Sequence, residues 1–410
     1  MEPKIRIKGF GGVWQQTTWG KLTSNFKYGI NAAATPYDGK NKYLRITDID
    51  DTTHVFLQDN LTTPGADLSC CDEYIMQDGD IVIARTGASV GKSYVYHDKD
   101  GKVYFAGFLI RMRLNDDVDK DFIFQNTLTE SYAKHIKIVS QRSGQPGVNV
   151  DELKSYTLSI PSDKEEQQAL GSYFQNLDSL IQSTSKKIES LKQVKAASLQ
   201  TMFPHEGETT PRVRFKGFEG EWKKVSLGDC LTINNERNQN NVYGINDVLS
   251  VSDEVGVVNQ IKLLGRSYAG KSVANYRVLK TNQIVYTKSP LKSKPYGIVK
   301  VNKGPVGIVS VLYAVYDAKD DVCPDYIHYY FEPTYRINNY LLPLINKGAK
   351  NTMNISDEMA LTGSIWIPSY KEQQKISDYL HVLDSQINLQ TQRLEKLKQI
   401  KSACLDKMFV

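Results

Sequence analysis

Hydrophobic positions along this 410-residue chain keep the same rhythm in two places. In the first stretch the stripe runs through Leu170, Phe174, Leu177, Ile181, Thr184, Ile188, Leu191, Val194 and Ser198. In the second it runs through Ile376, Leu380, Leu383, Ile387, Gln390, Leu394, Leu397, Ile400 and Cys404, with polar Thr184 and Gln390 at matched central positions. The steps are all of four or three and alternate as far as Leu191 and Leu397, which is the period of a coiled-coil seam and predicts two long helices. A helix of roughly 40 residues is about 60 Å long, too long to bury its stripe against one small domain. Seam residues are worth about 1.5 to 3 kcal/mol each when fully buried, so the two helices are expected to pair with each other rather than pack separately or against another protein.

Outside the helices the rhythm changes. Short β-branched apolar runs bounded by turn residues predict strands at DGDIVIART (Asp78 to Thr86), KVYFAGFLIRMRL (Lys102 to Leu114), NQIVYTK (Asn282 to Lys288) and VGIVSVLYAVYD (Val306 to Asp317). Each strand-rich segment adds one helical piece, DKDFIFQNTLTESYAKHI in the first and PDYIHYYFEPTYRINNYL in the second. The fold class read from this is α+β, with two mixed, β-dominated domains.

The two rhythmic stretches are copies of each other: from Glu166 and from Glu372 onward, 17 of 38 aligned positions are identical. A second matched pair, PKIRIKGFGGVWQQTTWG at Pro3 to Gly20 and PRVRFKGFEGEWKKVSLG at Pro211 to Gly228, makes the repeat unit a half-molecule. A closing phrase also recurs before each helix, with Gly144 parallel to Gly348, Asn149 to Asn354 and Ile160-Pro161 to Ile367-Pro368. Proline ends the last strand there and the following serine is placed to cap the helix. The expected order is a first domain over 1–160, a helix over 161–204, a linker over 205–210 opening a second domain that ends at 366, and a helix over 367–410. The short connection after Met202-Phe203 predicts an antiparallel, pseudo-twofold helix pair forming an intramolecular coiled coil. Met408-Phe409 then lies close to Pro3, so the chain termini are neighbours.

Composition changes little in this picture. With 40% hydrophobic and 24% charged residues the chain reads as an ordinary globular protein. It has no long apolar run and no leader-like N-terminus, so the expected location is cytoplasmic. Cys70, Cys71, Cys230, Cys323 and Cys404 form no C-x-x-C pair and read as intracellular thiols. A net charge of +5 tilts only slightly towards a polyanionic partner.

Catalytic signals are missing. RTGASVGKS (Arg85 to Ser93) has three residues between its glycines where a phosphate-wrapping loop needs four, and the residues after it are strand-like, so it reads as a turn between strands. There is no dinucleotide fingerprint, nucleophile elbow, His-Glu-x-x-His motif or Asn-Pro-Pro-aromatic motif. The six histidines are scattered, and Trp14 and Trp222 are expected to anchor the opening strand of each domain in the core.

Basic residues do gather with amides and aromatics on expected loops, where they could hold phosphates or bond base edges. The candidates for DNA binding are Lys42, Tyr43 and Arg45; Arg85, Ser89 and Lys92; Gln141, Arg142 and Gln145; Lys288, Lys292, Lys294 and Tyr296; and Lys347, Lys350 and Asn351. They lie in the dissimilar interiors of two domains whose frame is duplicated. The alternative is a non-catalytic protein-binding scaffold carrying two β-rich modules on a helical rod.

The chain resembles the specificity (S) subunits of type I restriction-modification enzymes. The features that carry the resemblance are the half-start PxxRFxGFxGEW, the phrase GDIVIARTGASVGK, and IPxxxEQQ before a long helix containing Leu-Asp, here Gln167, Gln168, Leu177 and Asp178 and again Gln373, Gln374, Leu383 and Asp384. The resemblance implies two target-recognition domains, each reading one half of an asymmetric, split site on double-stranded DNA, with the two helices as spacer. It implies docking of two methyltransferase (modification) subunits, with restriction/translocase subunits joining through them. Partner contacts are expected on the helices at Gln167, Gln168, Asp178, Glu189 and Lys192 and at Gln373, Gln374, Asp384, Glu395 and Lys398. No catalysis, cofactor or metal is expected in this chain; S-adenosylmethionine, ATP and Mg belong to the partners. The second domain has NQIVYTKSPLKSKPYG where the first has GDIVIARTGASVGKS, so loop residues do not transfer one by one between halves.

Overall fold

The computed structural model describes residues 2–270, 272–289, 293–347 and 353–410. The chain forms two compact units, one built from Met1–Lys187 with Gln390–Val410 and the other from Ile188–Leu389. Each long helix is continuous, Lys164–Thr201 and Tyr370–Met408. No described helix is long and apolar enough to cross a membrane.

In the first unit a four-stranded antiparallel sheet runs in the order Thr23–Tyr28, Leu109–Leu114, Ile81–Ala84, Ser93–Val95. RTGASVGKS is the hairpin loop between the last two of these strands. The opening strand Gln15–Thr18 pairs antiparallel with the closing strand Thr157–Ile160, which delivers the chain to the first long helix. In the second unit the sheet order is Leu231–Ile233, Tyr313–Ala318, Ile284–Thr287, Val299–Val301, and Lys223–Ser226 pairs with Ser364–Ile367.

Three details depart from the sequence reading. The runs over 102–114 and 306–317 are each two strands, Val103–Phe105 with Leu109–Leu114 and Gly307–Val309 with Tyr313–Ala318, broken by a turn. Each helical piece is two helices: Lys120–Asn126 and Glu130–Val139, the latter restarted by the Thr129 cap, and Pro324–Phe331 and Thr334–Leu341, separated at Pro333. Ser369 precedes the second long helix, and its backbone carbonyl accepts from Glu372 N and Gln373 N. At the first long helix, however, the Asp163 carboxylate is the cap, accepting from Glu165 N at 2.8 Å.

Within each unit the start of one long helix packs antiparallel against the end of the other. Phe409 stacks on Phe122 at 5.2 Å and lies 5.6 Å from Phe174 in the first unit. Phe203 meets Tyr326 and Trp222 at 5.5 and 6.2 Å in the second. Trp14 and Trp222 are buried in these cores. Ile5 N donates to Lys407 O at 2.9 Å, which brings the two ends of the chain together, and Val213 N donates to Thr201 O at 3.0 Å in the matching place.

The helical seam holds from Leu170 to Ile188 and from Ile376 to Leu383. It does not hold at Val194 and Ile400, which are 45% and 39% exposed. Val194 and Ile400 stand three residues after Leu191 and Leu397, where the four-three alternation calls for a step of four, so the residue after each is the one that faces inward. That residue is Lys195 in one copy and Lys401 in the other. Lys195 reaches Asp384 and Glu332, each at 2.6 Å, and Lys401 reaches Asp178 at 2.6 Å. Burial pushes the Lys195 ammonium down, but Glu332 and Asp384 outweigh it and hold its pKa above the usual lysine value.

Early in each helix a carboxylate that is 1% exposed, Glu166 or Glu372, meets a guanidinium from the start of its half. Arg6 reaches Glu166 at 2.7 and 2.6 Å, and Arg214 reaches Glu372 at 2.7 and 2.8 Å. Breaking a buried pair leaves a stranded charge and costs about 3 to 5 kcal/mol, whereas apolar replacement of both partners costs far less. Arg6→Ala and Arg214→Ala, which strand the buried carboxylate, should each destabilise their own unit by that amount, read as a lowered urea midpoint, and replacing Arg6 and Glu166 together by Met should restore much of the loss. An unchanged midpoint for both single variants contradicts this account.

Candidate nucleic-acid interface

The end of the central strand pair in the first unit brings a half-buried cation together with exposed amide and aromatic groups. Ala84 pairs with Leu109, so Arg85 follows directly opposite Phe108 and its N–H donates to Phe108 O at 3.0 Å. Arg85 O accepts from Val148 N at 2.8 Å, and Gly87 N donates to Pro146 O at 3.0 Å, which ties the hairpin loop to the segment carrying Gln141, Arg142 and Gln145. Gly87 has φ +78°, and a Cβ there would stand 3.0 Å from Gln145 Nε2, so glycine both sets the turn and admits the amide.

The Arg85 guanidinium lies 4.8 Å from the ring centroid of Tyr28, whose hydroxyl accepts from Val150 N at 3.3 Å. Stacking on a ring orients a guanidinium without neutralising it. Among the described residues Arg85 has no carboxylate partner, and its buried Nε has no hydrogen-bond partner. Gln141 and Gln145 are exposed; Arg142, also exposed, is held by Glu152 at 2.5 Å. A cation without a carboxylate partner beside two amides and two exposed rings can bond base edges and phosphates.

Other expected contacts sit elsewhere, with their groups spent inside the protein. Tyr43 is 2% exposed and donates to Ile30 O and Ala32 O at 2.8 and 3.1 Å, which removes it from the candidate surface. Lys42 is held by Gln58 and Asp100 O, Arg45 grips Asp48 with two nitrogens, and Lys92 bonds Ile49 O and Asp51. Ser89 lies in the hairpin loop, where its carbonyl accepts from Lys92 N at 3.0 Å.

In the second unit Lys288 occupies the place of Arg85, since Thr287 pairs with Tyr313 as Ala84 pairs with Leu109. Its ammonium is held at 2.6 Å by Asp357, which also takes Arg277 at 2.5 Å. Lys294 is buried and bonds Glu332 O, so it too leaves the candidate surface. Tyr296 packs against the core while its carbonyl accepts from the Tyr286 hydroxyl. Lys292, Lys350 and Asn351 lie outside the described residues, as does the side chain of Lys347.

Sequence reasoning missed Tyr28 and Phe108, which are 39% and 61% exposed. It also missed a second guanidinium-on-tyrosine contact, Arg266 over Tyr268 at 4.6 Å. The phrases KYGIN and FAGFL, each an aromatic beside a glycine in an otherwise apolar run, were the available signal.

On the helices, Gln167 and Gln373 are 3% and 1% exposed. Gln167 accepts from Asp119 N at 3.0 Å and donates to Pro161 O at 3.0 Å; Gln373 accepts from Cys323 N at 2.9 Å and donates to Asp321 O and Pro368 O at 3.1 Å. They fasten the helix starts to the domains, which is a correction to their expected place among partner contacts. Asp178 and Asp384 bind the seam lysines, and also Gln125 at 2.8 Å and the Tyr329 hydroxyl at 2.9 Å respectively. Gln168, Glu189, Lys192, Gln374 and Glu395 are exposed, and Lys398 is half-buried beside Glu395. Among the described residues no group of three or more His, Cys, Asp or Glu could hold a metal ion.

Comparison with known proteins agrees with this duplicated plan. The type I restriction modification DNA specificity domain matches the chain twice, over residues 31–193 and 219–399. A protein of Methanocaldococcus jannaschii described as a type I restriction enzyme MjaX specificity subunit is 22% identical over 348 residues, covering 80% of this chain and 77% of that protein. The crystal structure of a type I restriction-modification system S subunit from M. genitalium superposes with a TM-score of 0.65 at 14% identity, covering 100% of this chain and 99% of that one.

Gln167→Ala leaves a buried N–H and a buried carbonyl unanswered, each worth about 1 to 3 kcal/mol. It should lower the unfolding midpoint of the first unit while Gln168→Ala leaves it unchanged, as thermal unfolding of the two variants will report.

Proposed function

The chain belongs to the type I restriction-modification DNA specificity family, and from that premise we propose that it reads an asymmetric, two-part site on double-stranded DNA through two unlike target-recognition domains. It performs no chemistry itself. Two modification subunits dock on the exposed faces of the long helices, around Gln168, Glu189 and Lys192 on one and Gln374, Glu395 and Lys398 on the other. Restriction/translocase subunits join through them, and S-adenosylmethionine, ATP and Mg act in those partners.

The observation that carries this reading is the double match of one frame to two different sets of loops. If both halves read the same sequence, duplication would have kept the loops alike. The frame residues recur in phase, whereas Arg85 and its amide neighbours are not repeated in the second half. In the first domain Arg85, steadied on Tyr28, contacts bases or phosphates together with Gln141 and Gln145.

Binding of the assembled complex to its duplex should fall steeply with salt, since each neutralised phosphate releases counterions. Arg85→Ala should weaken that binding by about 1 to 3 kcal/mol and relax preference in the first half-site alone. Salt-independent binding, or a methylated motif unchanged by Arg85→Ala in a host expressing the modification subunit, counts against the reading.

The long helices set the span between half-sites. Removing one heptad from both shortens each by about 10 Å, or about three base pairs at roughly 3.4 Å each. Sequencing of methylated DNA should show the spacer shortened by that amount, and an unchanged spacer refutes the ruler.

A further inference from the structure

The two turns that interrupt the long apolar runs fall at the same place in both units. Ala106–Phe108 separates Val103–Phe105 from Leu109–Leu114, and Ser310–Leu312 separates Gly307–Val309 from Tyr313–Ala318. The same backbone bond closes each, Leu109 N to Ala106 O at 2.8 Å and Tyr313 N to Ser310 O at 3.0 Å. The last residue of each turn is large, apolar and turned to solvent: Phe108 is 61% exposed and Leu312 is 60% exposed. Strand register sets Phe108 opposite Arg85 and Leu312 opposite Lys288.

One exposed apolar residue needs no explanation. The same residue position exposed twice, in segments that otherwise differ and beside a basic residue both times, does need one. Packing does not supply it, because neither side chain joins the hydrophobic cores of its unit. The apolar feature that DNA displays in the major groove is the thymine methyl group, which phenylalanine and aliphatic side chains contact.

We propose that Phe108 and Leu312 are specificity-determining residues, each contacting a thymine methyl in the half-site read by its own domain. This rests on the DNA-reading function proposed above. The test uses the complex of this chain with its modification subunits and duplexes in which single thymines of the methylated motif are replaced by uracil, which deletes only the methyl group. The wild-type complex should lose affinity by about fourfold at one such replacement in each half-site. Phe108→Ala should be indifferent to the replacement in the first half-site and retain the effect in the second, and Leu312→Ala should do the reverse. Both variants should keep the wild-type unfolding midpoint, because the side chains are exposed.

Identical uracil profiles for Phe108→Ala and wild type overturn the inference, as does a wild-type complex whose affinity no uracil replacement lowers. Specific binding by the wild type with an unchanged Phe108→Ala profile removes this inference alone. Failure of the wild-type complex to bind any duplex specifically removes the DNA-reading function with it.

Discussion

A buried carboxylate in the first turn of each long helix, Glu166 or Glu372, meets a guanidinium that the chain laid down 160 or 158 residues earlier. Each carboxylate lies too deep to be solvated, so it holds only while the opening segment of its half is assembled against the start of the helix. The Lys401–Asp178 and Lys195–Asp384 pairs then fix the register in which the helices run past each other within each unit. Because Asp178 also takes Gln125 and Asp384 also takes Tyr329, each helix register is locked to a recognition-domain helix. The Leu-Asp phrase that marks the family thus has a structural role in both copies.

With the frame held this way, the interior of each sheet is free to change. At the place where the first unit pairs Asp80 with Arg113 at 2.7 Å, the second pairs Gln283 with Asp317 at 2.7 Å. The carboxylate has moved to the neighbouring strand and the cation has become an amide, yet the strands keep the same order and register. Asp80 in one and Gln283 in the other still accept a backbone N–H three residues upstream, at 2.8 and 2.6 Å. A sheet that satisfies its buried polar groups by exchangeable means tolerates divergent loops, as a reader of variable sequence requires.

The sequence exposed the frame because duplication printed it twice: helix lengths, the antiparallel pairing, the neighbouring termini and the buried tryptophans all follow from matched phrases. Interiors were less legible. A β-branched run such as KVYFAGFLIRMRL carries the same signal whether it is one strand or two, and the break at Ala106–Phe108 is dictated by tertiary approach: a Cβ on Gly29 would stand 2.3 Å from the carbonyls of Phe105 and Ala106. Basic residues were least legible. Lys42, Arg45, Lys92 and Lys288 look alike in sequence, and only the partners that folding brings to them, including Asp357 from 69 residues away, separate a spent cation from an available one.

That distinction bears on how the two domains divide their work. A lysine already bonded to a carboxylate must exchange that contact for a new one before it can hold a base or a phosphate, so its net gain on binding is small. Arg85 has no such contact to give up, and its stacking on Tyr28 removes conformational freedom before any ligand arrives. Matched positions in the duplicated frame therefore carry unequal capacity for recognition: the first domain presents a preorganised guanidinium where the second presents a lysine held by its own carboxylate. Divergence between the domains lies in how their cations are partnered as much as in which residues they carry.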